Sequence, residues 1–324
     1  MIKNKIKLNN FSQYFIVFIL LAIILLLILF PSISMNSFLE GILIWGTKVL
    51  PSLLPFFILT KLLSYTNFIP TLGKKLSPLT YKMYGVGGVS GYVYLMSIIS
   101  GYPVGAKITS DLYSNKIISK TQAHTITSFT STSGPLFVLG TVSIGLFGST
   151  KMGIIILISH YISAIINGLL YKHKKSYTLT LNTNHTTNNY LNESMTSSIS
   201  SIMTVGGFIA IFYMILKLML KLNLFFPISK LLNLLGVNQN VSISIISGLF
   251  EVTTGCILLS NCGLNFIAQS LIISFLISFG GLSIHLQALC FLKNFEMKYS
   301  KFLLQKTTHA ILSTLITLII LCIV

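Results

Sequence analysis

Over 324 residues the chain is 53% hydrophobic and only 8% charged, with a mean hydropathy of +0.84. No soluble domain of this length needs so much apolar side chain to fill its core, so composition excludes a soluble class and points to an all-α polytopic membrane protein in a lipid bilayer. The formal charge of +17 is carried by lysine without arginine, spread singly or in short clusters beside apolar runs. That spread excludes a basic nucleic-acid face and fits cytoplasmic anchoring of loops.

In chain order, Lys3, Lys5 and Lys7 precede an apolar run from Tyr14 to Phe30. About 17 residues can just span a hydrocarbon core of about 30 Å, so residues 1–40 read as an uncleaved membrane anchor helix with its N-terminus in the cytoplasm and its exit at FPSISMN. A first repeat follows over residues 41–171. Gly41 to Tyr65 returns to an inner side marked by Lys74, Lys75 and Lys82. From Gly85 to Ser100 the chain is apolar and glycine-rich, then SGYPVGAK at 100–107 breaks it and the polar stretch DLYSNKIISK follows at once. A segment that enters and leaves by one face is a re-entrant hairpin. The next crossing, Gln122 to Phe147, is interrupted at STSGPLF (131–137), and Met152 to Tyr171 comes back to KHKK.

Residues 172–195 are rich in Thr, Asn and Ser without apolar periodicity and read as a polar cytoplasmic linker. The pattern then recurs over residues 196–324. Ser197 to Leu220 crosses, Pro227 to Leu235 is a short amphipathic surface segment, and Val241 to Cys262 carries a second hairpin at SGLFEVTTG. Asn265 to Leu292 is broken at FGGLSIHLQ, and Phe302 to Ile323 crosses last. Ser100 falls on Ser247 (offset 147), Ser133 on Phe279 (offset 146) and His160 on His309 (offset 149). A nearly constant offset, with first crossings of opposite direction, predicts two inverted repeats with re-entrant hairpins and broken helices, the plan of many secondary transporters.

Irregular backbone and charge at membrane depth are tolerated only where protein or a wet cavity receives them. Four places qualify. The first tip holds Gly101, Pro103, Gly105 and Lys107; the first break holds Ser133, Gly134 and Pro135. The second tip holds Glu251 and Thr254; the second break holds Gly280, Gly281, His285 and Gln287. Of five acidic residues, Glu251 alone lies deep, either as a proton or cation site or as a structural hydrogen-bonder. Lys107 either meets an anionic substrate or snorkels to the interface. Backbone N–H groups at half-helix N-termini can bind carboxylates without ionised side chains. His160 and His309 read as symmetric helix-packing residues, and His124 carries little signal. The four cysteines, Cys256, Cys262, Cys290 and Cys322, form no CxxC pair, so neither disulfide, metal nor cofactor is expected. No phosphate loop, HExxH or acid pair is present, so no enzyme is expected.

In order, GYPVGAK, SGPLF with GLFG, GGFI (206–209), GLFEVTTG, and GGLSIHLQ with a later HA at 309–310 closely resemble the YlbJ family of sporulation integral membrane proteins, grouped with nucleoside-recognition or Gate-type domains. The resemblance implies a multi-pass protein of the cell membrane or outer forespore membrane that moves dipicolinic acid, a small flat dianion, from the mother cell toward the spore. Applied motif by motif, it assigns the four places above to the substrate site. This chain departs from the family pattern at Ser131–Thr132, Phe279 and Lys306. The alternatives are a nucleoside or other small-anion carrier of the same architecture, and a non-transporting scaffold for spore-envelope assembly. A homo-oligomer or a forespore-side partner is compatible with either.

Overall fold

The structure, a computed structural model, describes residues 10–63, 65–172 and 189–323, and every regular element among them is helical. The predicted linker lies largely outside the described residues; helix resumes at Tyr190. Among the described residues, Thr150–Leu170, Tyr190–Lys221, Phe266–Phe295 and Tyr299–Ile323 are long and apolar enough to cross a membrane.

The first helix, α1 (Asn10–Leu29), does not leave through a loop as expected. It turns by 105° and continues at once as α2 (Pro31–Ile44). Proline at the first helical position lacks an N–H that would have had no partner anyway, so FPSISMN starts a helix instead of an exit. α2 runs through a π-helical turn, Trp45–Val49, into α3 (Leu50–Leu63). The lysines 74, 75 and 82, expected as an inner-side marker, lie on the strongly amphipathic helix α4 (Phe68–Tyr84), which ends at Gly85 with φ +71°.

The first hairpin pairs α5 (Val89–Ser100) with α6 (Val104–Ser114), joined by Gly101–Tyr102–Pro103. A serine cap with reciprocal bonds between Ser119 and Gln122 starts α7 (Lys120–Thr130). After the break at 131–135 the chain continues as a π-helical segment, Leu136–Ile144, a single turn α8 (Gly145–Phe147), and the long α9 (Thr150–Leu170). The second half repeats this succession: α10 (Tyr190–Lys221), the short surface helix α11 (Phe226–Leu234), the hairpin α12 (Gln239–Phe250) and α13 (Val252–Ser260), the broken pair α14 (Phe266–Phe279) and α15 (Gly281–Leu292), and α16 (Tyr299–Ile323).

Small residues let backbones approach where this arrangement demands it. A β-carbon on Gly255 would sit 2.2 Å from the Gly248 Cα, so α12 and α13 cross glycine on glycine. One on Gly105 would lie 1.9 Å from the Thr130 carbonyl oxygen, so this glycine, expected at the hairpin tip, instead seats α6 against the end of α7. Gly206 of the GGFI motif makes room for the Trp45 indole. The halves meet where α9 packs along α16, with the rings of His160 and His309 4.7 Å apart, as the symmetric reading anticipated. Beside this seam Asn167 donates to the carbonyls of Ser128 (2.6 Å) and Gln305 (3.0 Å) and accepts from Thr308 (2.7 Å). At one rim Lys120 bonds Glu296 at 2.5 Å and holds that carboxyl below its usual range, though so exposed a pair adds little stability.

Gly105→Ala is therefore expected to lower stability by about 1–3 kcal/mol through overpacking, whereas Gly207→Ala, which meets nothing within 4 Å, leaves it unchanged or raises it. Thermal unfolding of the purified variants in one detergent checks this; equal midpoints for the two would contradict the packing account.

Candidate functional site

A hairpin tip exposes backbone groups, and so does a broken helix; the chain brings these together. Gly101 adopts φ +81°, and a β-carbon there would lie 2.5 Å from the amide nitrogen of Gly134, so the first tip rests backbone on backbone against the first break. In the second half Gly281 adopts φ +68°, and its β-carbon would lie 2.9 Å from the Gly248 carbonyl and 3.3 Å from that of Phe250. Each tip thus leans on the break of its own half.

Between the two pairs lies a cavity of about 190 Å³. Its wall takes Ser100, Gly101 and Tyr102 from the first tip, Ser133, Gly134, Leu136 and Phe137 from the first break, Glu251, Val252 and Thr253 from the second tip, and Ser283, Ile284 and Gln287 from just beyond the second break. Apolar side chains of α3 and α10, among them Phe56, Val205 and Ile209, close the remaining side. Such a pocket, mostly apolar with few polar groups, suits a small molecule.

Five predicted site residues line this cavity: Gly101, Ser133, Gly134, Glu251 and Gln287. Gly280 and Gly281 stand behind the wall, where their positive φ values of +89° and +68° turn α14 into α15. Pro135 and Pro103 are the residues preceding the π-helical segment and α6. Lys107 is not brought to the wall. It is 4% exposed on α6, with its ammonium 3.4 Å from Asp111 and 5.7 Å from the centroid of Phe57, so it neither meets the cavity nor reaches a water interface. His285 is likewise outside the wall. Its Nε2 lies 2.8 Å from the Phe279 carbonyl, which the break releases, and its Nδ1 lies 3.3 Å from the Tyr299 hydroxyl. The ring satisfies the broken helix from behind.

Glu251 sits at the junction of α12 and α13 and caps α13. Its carboxylate accepts from the amides of Thr253 (3.0 Å) and Thr254 (2.7 Å) and from the Thr254 hydroxyl (2.7 Å). The positive end of α13 therefore compensates the one deep carboxylate. The other two half-helix N-termini at the cavity have no side-chain cap: the π-helical segment begins after Pro135, and α15 begins after Gly280. Their first-turn N–H groups lack intrahelical partners, and first-turn residues Leu136, Phe137 and Ser283 line the cavity.

His160 contributes more than packing. The Ser133 amide donates to its Nε2 at 2.8 Å, so the ring proton resides on Nδ1, which donates to the Ser278 hydroxyl at 2.7 Å. One imidazole thereby joins the first break to the end of α14. Two residues were missed by the sequence reading. Tyr102 lies inside the quoted GYPVGAK motif and forms cavity wall, with its hydroxyl in reach of α14 carbonyls. Lys306 is 1% exposed and bonds Tyr102; the sequence marked it only as a departure from the family pattern and as a lysine seven residues into an apolar span, and gave it no place in the site.

Residues 47–165 match the family model described as Gate, nucleoside recognition, a stretch that contains the first tip, the first break and His160. The chain is 29% identical over 318 residues to the sporulation integral membrane protein YlbJ of Bacillus subtilis (strain 168), covering 90% of this chain and 78% of that protein. Among solved structures it is similar to a CNTnw variant in an outward-facing state, with 16% identity, a TM-score of 0.46, and coverage of 95% of this chain and 85% of that one. The resemblance drawn from the five ordered motifs is borne out by the Gate domain and the YlbJ relative.

Removing the cap by Glu251→Ala is expected to cost about 0.5–2 kcal/mol, and Glu251→Gln, which keeps an acceptor oxygen, less. Chemical denaturation monitored by tryptophan fluorescence of Trp45 tests the order; an Ala variant as stable as the parent would contradict the capping role.

Proposed function

We propose that this multi-pass membrane protein, which carries a Gate nucleoside-recognition domain and is related to a sporulation protein, is a carrier for a small dianion. The dianion is dipicolinate, moved from the mother cell across the outer forespore membrane toward the spore. The observation that carries the anion reading is the pair of uncapped half-helix N-termini at one cavity. Each offers N–H donors and a partial positive charge of about 0.5, so two carboxylates on a flat ring can be held without an ionised side chain. Phe137 and Tyr102 supply aromatic wall for the ring itself.

The same succession of elements in both halves supports two inverted repeats, with the N-terminus in the cytoplasm where the early lysines would hold it. Transport then follows from rocking of one tip-and-break pair against the other, which opens the cavity alternately to the two sides. We assign no catalytic step to the site. The Gate description favours one second reading, a nucleoside carrier, because an apolar cavity with aromatic wall also accepts a base and its sugar.

Uptake of labelled dipicolinate and labelled uridine into proteoliposomes separates the two. Dipicolinate should accumulate and uridine should not. Ser283→Asp provides an internal check, because a new carboxylate at the first turn of α15 would occupy that N-terminus itself. A second carboxylate at about 4 Å costs on the order of 4 kcal/mol at an effective dielectric of about 20, so the KM for dipicolinate should rise tenfold or more. Unchanged dipicolinate uptake by this variant would overturn the proposed binding mode; uridine uptake alone would replace the substrate.

A further inference from the structure

Lys306 ends in a buried amine that neither the cavity wall nor any acid explains. Ion pairs join Lys107 to Asp111, Lys120 to Glu296 and Lys217 to Glu40, and none of these includes Lys306. Its ammonium, buried with the rest of the residue at 1% exposure, donates to the Tyr102 hydroxyl at 2.5 Å and to the Ser131 carbonyl at 2.9 Å. An unpaired ammonium at that depth is expensive unless something else supplies negative field.

The broken helices supply it. Ser131 is the residue at the C-terminal end of α7. The Tyr102 hydroxyl lies 3.4 Å from the carbonyl oxygens of both Ile277 and Ser278, in the last turn of α14. The carbonyl end of α7 therefore meets the ammonium directly and the carbonyl end of α14 meets it through the Tyr102 hydroxyl, each end presenting about half a negative charge. His160, whose Nε2 accepts the Ser133 amide proton, adds no positive charge beside it. Oxygen ligands at unwound helix ends are the surroundings that broken-helix carriers offer to a monovalent coupling ion.

We propose that the Lys306 ammonium is a tethered cation occupying a monovalent-cation site formed by the Ser131 carbonyl and the Tyr102 hydroxyl, the latter oriented by the carbonyl end of α14. The protein as it stands then needs no free Na⁺ at this place, and truncating the side chain opens a site that Na⁺ can fill. Because Tyr102 also forms cavity wall, the ion at this site fixes the shape of the first tip. A role in coupled transport rests on the carrier reading above; the cation site itself does not.

The test is thermal unfolding of the full chain in detergent, titrated with NaCl against choline chloride at constant ionic strength. Lys306→Ala should gain a saturable, Na⁺-selective rise in midpoint on the order of 2 °C per tenfold increase in Na⁺, while the parent and Lys306→Arg, which keep a cation in place, stay flat. A folded Lys306→Ala without a selective response overturns the proposal, and so does an equal response in the parent. If the variant aggregates in choline, recovery of a monodisperse species in NaCl supports the site, and aggregation in both salts overturns it. In vesicles, uptake lost in Lys306→Ala and restored by Na⁺ supports the coupling role, and uptake indifferent to Na⁺ removes it. Parent vesicles inert toward both dipicolinate and uridine would sink the carrier reading and leave the melting series to decide the cation site.

Discussion

Interrupted helical backbone inside an apolar slab is the constraint on which the rest of this structure depends. Each interruption frees N–H groups on one side and carbonyls on the other, and hydrocarbon offers neither any partner. Among the described residues four such interruptions gather around the cavity, and they are answered in pairs. Tips lean on breaks through Gly101 against Gly134 and Gly281 against Gly248, and side chains attend to several of the remaining polar groups. His160 takes the Ser133 amide, His285 takes the Phe279 carbonyl, Lys306 takes the Ser131 carbonyl, and Glu251 takes two amides of α13.

A sorting by sign follows from that arrangement. Carbonyl ends of α7 and α14 face the seam between the halves, where Lys306 sits. The opposite ends, where the π-helical segment and α15 begin, contribute to the cavity and have no side-chain cap. In the proposed reading broken helices separate charge without many charged residues: Lys306 serves the negative ends, directly at Ser131 and through Tyr102 at α14, and the positive ends are left for a ligand. On the carrier proposal, this is how a chain that is 8% charged offers an anion a site.

Much of this plan was legible in the sequence. Glycine and proline inside apolar runs mark interruptions because they cannot continue a helix at no cost, and a polar stretch following at once marks a hairpin. The recurrence at offsets of 146 to 149 residues identified corresponding elements, including the paired histidines. What one dimension could not give was the direction of a side chain. Lys107 and Glu251 stand at equivalent-looking places, yet a helix turn carries the lysine toward Asp111 while the glutamate folds back onto its own helix. His285 follows its break as closely as Gln287, two residues on, but the two face opposite sides of α15. Lys306 went unweighted because the groups that hold it, the Ser131 carbonyl and the Tyr102 hydroxyl, come from residues 175 and 204 positions earlier, an arrangement visible only after folding.

The central claim is that two uncapped half-helix N-termini, one from each half, hold the two ends of one anion. A structure of the protein with dipicolinate bound tests it most directly. The account predicts ligand density in the cavity, with one carboxylate against the first turn beginning at Leu136 and the other against the first turn of α15. Density seated elsewhere, or a carboxylate paired with Lys107, would contradict it.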